Sequence, residues 1–394
     1  MSKIDDLIQQ YCPDRVEWKP LGEVCKTLHK GTLTTKELVQ PDGHNYPVIN
    51  SGRELYGYYP QFNNEGDAIT IAARGEYAGY ITYFSERFWA GGLCYPYRSN
   101  SSHISTKFIF YYLKTRQEYI RNVLVAEGSI PALNKGTLEQ LEIPVPPLPV
   151  QEEIVRILDN FTNLAAELQA ELQARQQQYQ YYRDTLLSNF TPEQQVKEYT
   201  LGELGTFTRG NGLQKKDFTE TGVGCIHYGQ IYTRFGAFTD KTLTYVDEAL
   251  ASRLLKVKTG NLVIACTSEN VEDICKCVAW LGEDDICTGG HACVFRHKQN
   301  PKYIAYFFQT DYFYNQKVKY TYGTKVKDIK PESLAKIKIP LPSLQEQERI
   351  VSILDNLYTL SNDLTIGLPA EIEARQQQYE YYRDRLLTFK RKSE

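Results

Sequence analysis

The run from Ala174 to Asp184 returns as Ala374 to Asp384 with one change, Gln180 to Glu380. Upstream, Ile154, Val155, Ile157, Leu158, Asp159 and Asn160 recur as Ile350, Val351, Ile353, Leu354, Asp355 and Asn356, 196 residues on, and the offset has become 200 by Ala374. The four extra residues must lie between Asn356 and Ala374. A chain duplicated in this way carries two similar units, joined by whatever the near-identical segments form.

Those segments read as helices. After Pro144, Pro146, Pro147 and Pro149 the chain holds no Gly or Pro from Gln151 until Pro192, so one helix is expected there. Ile154, Leu158, Phe161, Ala165, Leu168, Leu172, Arg175, Tyr179, Tyr182 and Leu186 follow at alternating steps of four and three, the seam of a coiled coil with one polar exception. From Ile154 to Phe190 such a helix reaches about 55 Å. Its stripe needs a partner, either an internal core or its own duplicate. In the second copy two successive steps of four fall around Gly367-Leu368-Pro369, and a kink or break is expected there. Gln176, Gln177, Gln178, Tyr181 and Arg183 match between copies although the seam does not use them, which suggests a second, docking face.

A chain of 394 residues with 42% hydrophobic content can bury more than one core. No apolar run reaches the roughly 20 residues that span a bilayer, and Met1-Ser2-Lys3-Ile4-Asp5-Asp6 lacks a secretory pattern. A soluble, cytoplasmic protein is expected, its nine cysteines reduced. The net charge of −3 is not that of a protein that grips DNA unaided, so partners would supply part of any such grip.

The two intervening regions align weakly. Leu21-Gly22-Glu23 answers Leu201-Gly202-Glu203, Gly91-Gly92 answers Gly289-Gly290, and Leu138, Leu141 and Ile143 answer Leu334, Ile337 and Ile339. Runs such as Ala68–Ala72 and Leu262–Cys266 predict a twisted sheet with a few helices, one frame carrying different loops. In the first region Asn50, Ser51 and Arg53, then Arg74, Tyr77 and Tyr80, stand on turns; in the second Arg209, Asn211, Lys215 and Lys216, then Gln230, then Thr267, Ser268 and Asn270, offer the same chemistry. Arg pairs bidentately with guanine, Asn or Gln with adenine, while Lys and hydroxyls position phosphates. Each loop taken singly also reads as an ordinary solvated turn.

Catalytic motifs are absent. Asp14, Glu17 and Lys19 are too tightly spaced for a metal-dependent nuclease. Cys275, Cys277, Cys287, His291 and Cys293 contain no Cys-x-x-Cys pair and read as packed thiols. No phosphate loop, nucleophile elbow or adenine-methyltransferase tetrapeptide occurs. The chain reads as non-catalytic, with no metal or cofactor of its own.

The Gly-Leu-Pro-x-Glu-Ile start at 367–372, the Arg-x-x-Gln-Tyr-x-Tyr-Tyr-Arg-x-x-Leu-Leu block at 375–387, its partner at 175–187, and the Pro-rich run into Gln-Glu and Ile-Leu-Asp together resemble the specificity subunit of a type I restriction-modification enzyme. The resemblance implies an α+β protein: two pseudo-symmetric α/β target recognition domains separated by a long antiparallel two-helix coiled coil. The expected division is 1–146 and 191–340 for the recognition domains, 147–190 and 341–394 for the helices. Each domain would read one half of a bipartite, asymmetric site in double-stranded DNA. Leu158, Leu168, Leu172, Arg175, Tyr179, Tyr182 and Arg183, with Leu354, Leu364, Arg375, Tyr379, Tyr382 and Arg383, would form the spacer and dock two modification subunits, methyltransferases acting on adenine N6. S-adenosylmethionine, ATP and Mg are expected in the partner subunits, ATP with the restriction subunits that join the methyltransferase core. The rival readings are a stand-alone regulator of a bipartite operator and a scaffold that binds proteins.

Overall fold

Ala68–Ala72 is a continuous β-prone run buried at every position, as a central strand covered on both faces must be. In the computed structural model, which describes Asp6, Gln10, Tyr11 and residues 16–191, 196–362 and 367–391, it is the centre of the first of two units. That unit comprises Met1–Gln169 and Ile372–Glu394. Its main sheet runs in the order Cys25–Thr27, Cys94–Ser99, Ala68–Ala72, Ile81–Phe84, with all neighbours antiparallel. A smaller sheet joins Gly57–Tyr59, Tyr46–Ile49 and Trp89–Ala90. The helix Thr106–Thr115, started by Ser105, whose hydroxyl accepts the Phe108 N–H, lays Phe108, Ile109 and Leu113 into the core beside Ile69, Ile71 and Tyr97.

The second unit, Ala170–Glu371, repeats this order. Gly205–Arg209, Ala292–His297, Leu262–Ala265 and Cys277–Trp280 lie side by side, and Phe238–Thr239 adds a parallel edge. A four-stranded sheet of Thr244–Val246, Val223–Ile226, Ile286–Thr288 and Leu255–Val257 accompanies it. In both units the chain enters and leaves on one antiparallel ribbon, Glu17–Pro20 with Glu142–Val145 and Lys197–Thr200 with Lys338–Leu341.

The ribbon delivers each chain to a long helix. Leu148–Ser188 is unbroken over 41 residues, and its root is held by Gln151, fully buried. The Gln151 carbonyl oxygen accepts from Ser105 N at 2.8 Å while its amide donates to the carbonyls of Pro146 and His103. Gln347, also fully buried, repeats this: it accepts from Asn300 N at 3.1 Å and donates to the Pro342 carbonyl at 2.9 Å. In the duplicate, helices span Leu344–Asn362 and Leu368–Leu386. Pro369 stands in the first turn of the latter, where no intrahelical donor is needed.

Along the seam Ile154, Leu158, Leu172 and Tyr179 are buried. Within the first unit Phe161 stacks on Tyr382 at 5.5 Å, and within the second Tyr179 meets Tyr358 at 5.8 Å. Two corrections apply to the seam: Leu187, not Leu186, is the fully buried leucine of its turn, and Tyr182 is 40% exposed. Each of the two units includes part of each long helical segment. Leu364, expected on the seam, and Asp14 lie outside the described residues. Among the described residues no helix is long and apolar enough to cross a membrane.

Candidate nucleic-acid interface

In both units the central strand runs out of the sheet into a turn, and that turn is backed by a hairpin from later in the chain. In the first unit Ala73 accepts the Leu133 N–H at 2.9 Å, and Arg74 bridges Ala132. In the second Cys266 accepts the Ile329 N–H at 3.1 Å, and Thr267 and Ser268 pair with Asp328 and Lys327. Arg74 and Thr267 therefore occupy equivalent positions, each the residue after the carbonyl that accepts this bond.

Around Arg74 the turn is tight. Gly75, at φ 87°, donates to the Pro131 carbonyl, and Tyr80 N donates to the Tyr77 carbonyl at 2.9 Å. Arg74 is exposed, with Tyr77 and Tyr80 half-buried beside it. The Lys114 ammonium sits 4.7 Å over the Tyr80 ring. Burial pushes Lys114 below its ordinary value, and the nearby charges of Arg383 and Arg53 push it further, so Arg53 belongs to the same electropositive neighbourhood. Arg53 is exposed beside Glu54, and Ser51 is half-buried on the bend before it. Asn50 is committed differently: its carbonyl oxygen accepts the Leu93 N–H at 2.9 Å, and a Cβ on Gly91 would lie 2.5 Å from it. Through this oxygen Asn50 holds two turns together.

In the second unit the polar surface is gathered by aromatic contacts. The Thr267 hydroxyl lies 3.0 Å from His291 Nδ1, His291 lies 4.8 Å from the Tyr228 ring, and Tyr228 is 4.5 Å from His227. The Tyr232 hydroxyl donates to the Thr267 carbonyl at 2.6 Å. Burial pushes the His227 imidazole down, and the neighbouring Lys215 and His291 push it further. Lys215 and Lys216 are exposed on a short 3-10 turn, and Asn211 is exposed with its amide on the Arg253 carbonyl at 3.3 Å.

Several residues read from sequence as base readers prove to be occupied. Arg209 closes its fork on Asp328 at 2.9 and 2.7 Å, and its Nε donates to the Gly290 carbonyl at 3.0 Å. A guanidinium bound in this way presents no bidentate edge to guanine. Gln230 caps its own helix, accepting from His227 N at 2.9 Å and donating to Thr244 at 3.2 Å. Asn270 makes a local turn with Asp273 through both amide atoms, and Ser268 accepts the Asn270 N–H. Thr267 is 6% exposed. Asp328, Tyr322 and His291 were not singled out as part of this surface. Asp328 and Tyr322 carry no local motif, but Tyr322 and Asp328 stand 196 residues after Ala126 and Ala132, the offset already visible at Leu138 and Leu334.

The described cysteines are free and buried, and among the described residues no His, Cys, Asp and Glu group could hold a metal ion. Burial pushes the Cys275 thiol up to about 12, so it is a packed hydrophobe and not a thiolate ligand.

A family model for the type I restriction modification DNA specificity domain matches residues 13–175 and again 193–374. The chain belongs to this specificity family. Its two matches coincide with the internal duplication. The chain is 31% identical over 400 residues to the EcoR124I/EcoR124II type I restriction enzyme specificity subunit of Escherichia coli, covering 95% of this chain and 94% of that one. A putative type I restriction enzyme specificity subunit of Haemophilus influenzae is 30% identical over 392 residues, with 95% and 96% covered. The same fold is found in the type I restriction-modification S subunit of M. genitalium, at a TM-score of 0.62 and 18% identity, covering 95% and 96% of the two chains. As a specificity subunit the chain is a DNA-recognition part of a restriction-modification complex, and the α+β architecture with two repeated units is that of the family.

Proposed function

We propose that each unit reads one half of a bipartite, asymmetric DNA site, that the paired helices set the unread gap, and that their duplicated outer face docks two modification subunits. The reading rests above all on one observation: the two units keep one strand order and one hairpin register while the turns on that frame differ. A shared frame with different turns is what two readers of different sequences require.

Arg53, Arg74, Tyr77 and Tyr80 would face the first half-site, and Asn211, Lys215, Lys216 and His291 the second. A helix of 41 residues extends about 61 Å, more than the 34–36 Å of one duplex turn that separates successive major-groove segments. For docking, Tyr181 and Tyr381 are 66% and 60% exposed, each edge-on to the next tyrosine. Arg183 and Arg383 lie over the rings of Tyr179 and Tyr379 at 5.6 and 5.7 Å. Two copies of one aromatic and guanidinium face suit two copies of one partner. S-adenosylmethionine would enter with the modification subunits, and ATP and Mg with the restriction subunits; this chain would contribute recognition without catalysis.

Single-molecule methylation sequencing of a host carrying the chain with its partner subunits tests the reading. The expected result is N6-methyladenine in one split motif that disappears when this chain alone is deleted. Methylation that persists without it, or a motif with no unread gap, contradicts the reading.

A further inference from the structure

The hairpins behind the two reading turns agree in more than position. In the first unit Ala126 pairs with Ala132; in the second Tyr322 and Asp328 exchange backbone hydrogen bonds at 3.0 and 2.8 Å. Both pairs stand 196 residues apart in sequence, so the hairpin register has survived the duplication. The first is closed by Glu127-Gly128-Ser129-Ile130-Pro131 and the second by Gly323-Thr324-Lys325-Val326-Lys327. Only the fourth place keeps its character. Ile130 is 65% exposed and Val326 57% exposed, two β-branched hydrocarbon side chains held out in water at the tip of a loop.

Both tips are braced. The Pro131 carbonyl next to Ile130 accepts the Gly75 N–H at 2.9 Å from the reading turn. In the other loop Gly323 adopts φ 100°, where a Cβ would stand 2.0 Å from the Val326 carbonyl oxygen, and Lys327 Nζ donates to the Gly323 carbonyl at 2.9 Å. A side chain fixed on a braced loop loses little freedom when it is inserted elsewhere.

A residue kept in both units while the turns beside it differ serves something the two half-sites share, and their sequences are not shared. On the reading proposed above, on which this inference rests, the shared event is that an adenine in each half must leave the base stack before its amino group can be reached. Unstacked steps are held open by apolar wedges inserted between bases. We propose that Ile130 and Val326 are such wedges, one for each half-site, entering the stack where the adenine leaves it and reading no base themselves.

The test uses the chain purified with its modification subunits, duplexes bearing 2-aminopurine at each adenine found methylated by sequencing for the fluorescence, and matched duplexes that keep those adenines for the methylation. With the wild-type complex, fluorescence rises on binding in both halves. Ile130→Ala suppresses the rise and slows methylation by about tenfold in one half only; Val326→Ala does so in the other, and Ile130→Leu restores the signal. Because both side chains are exposed, the unfolding midpoint stays unchanged in all three variants. Wild-type fluorescence and methylation in both alanine variants would overturn the wedge. So would a relaxed preference at a single base pair, which marks a thymine-methyl contact instead. A wild-type complex that binds none of these duplexes overturns the underlying reading, which separates that failure from the failure of the wedge.

Discussion

Tyr306 donates its hydroxyl proton to the Asp355 carboxylate across 2.7 Å, while Lys302 closes on the other oxygen at 2.6 Å. Tyr111 and Lys107 hold Asp159 in the same way, at 2.6 and 2.8 Å. Each tie fastens a helix of the sheet domain to a long helix, and it is present in both copies. Burial first, and the bond to the carboxylate second, push the Tyr306 phenol well above its ordinary value. Asp355→Ala leaves a buried phenol and a partly buried ammonium without their acceptor and is expected to cost about 2–3 kcal/mol of stability. Tyr306→Phe, which leaves the ion pair, costs about 1 kcal/mol. Urea denaturation of each variant checks this order; equal midpoints for wild type and Asp355→Ala would contradict it.

Arg74 and Arg209 separate by their partners. Arg209→Ala removes both bonds to Asp328 and is expected to lower the folding free energy by about 2–3 kcal/mol. Arg74→Ala should leave the unfolding midpoint unaltered and weaken binding of its own half-site by about 1–3 kcal/mol. Paired measurements of unfolding and of DNA affinity in the assembled complex distinguish the two. A loss of affinity without a loss of stability in Arg209→Ala would restore that residue as a reader.

His297 makes stability depend on pH. Burial pushes its imidazole down to about 4 from 6.5, and its buried Nε2 meets no hydrogen-bond partner among the described residues. The unfolded chain takes up a proton near 6.5 and the folded chain only near 4, so this contribution is complete above the upper value and is lost as pH falls between the two. The loss amounts to about 3 kcal/mol. Unfolding midpoints followed from neutral pH into that window test it, and His297→Phe should flatten the slope. An equal slope in the variant assigns the acid sensitivity elsewhere.

The helices were the most legible part of the chain. A heptad seam repeats every few residues, so Leu158, Leu172 and Tyr179 announce their burial without knowledge of the partner. The common frame was legible too, because the copies keep Leu138 and Leu334 or Ile143 and Ile339 in register. The interface was harder to see. Arg209 is tied to Asp328 from 119 residues away, and nothing local distinguishes an arginine with such a partner from a free one. Asn50, Gln230 and Asn270 show a related ambiguity: polar residues in turns satisfy nearby backbone groups as readily as they face a ligand. Ile130 and Val326 carry no sequence motif, and only the shared register of the two hairpins sets them in equivalent places.

Lengthening the helices alters a different property. Inserting four residues between Asn160 and Arg175, with a matched insertion in the distal segment, adds about 6 Å, close to two base-pair steps of about 3.4 Å. Methylation mapping should then show a longer unread gap between unchanged half-sites. An unaltered gap removes the helices from the role of spacer.

The most direct test exchanges residues 197–341 for the corresponding segment of another specificity subunit whose motif is known and maps N6-methyladenine across the host genome. The account predicts that one half of the motif becomes that of the donor while the other half and the gap remain. A change in both halves, or in neither, contradicts it.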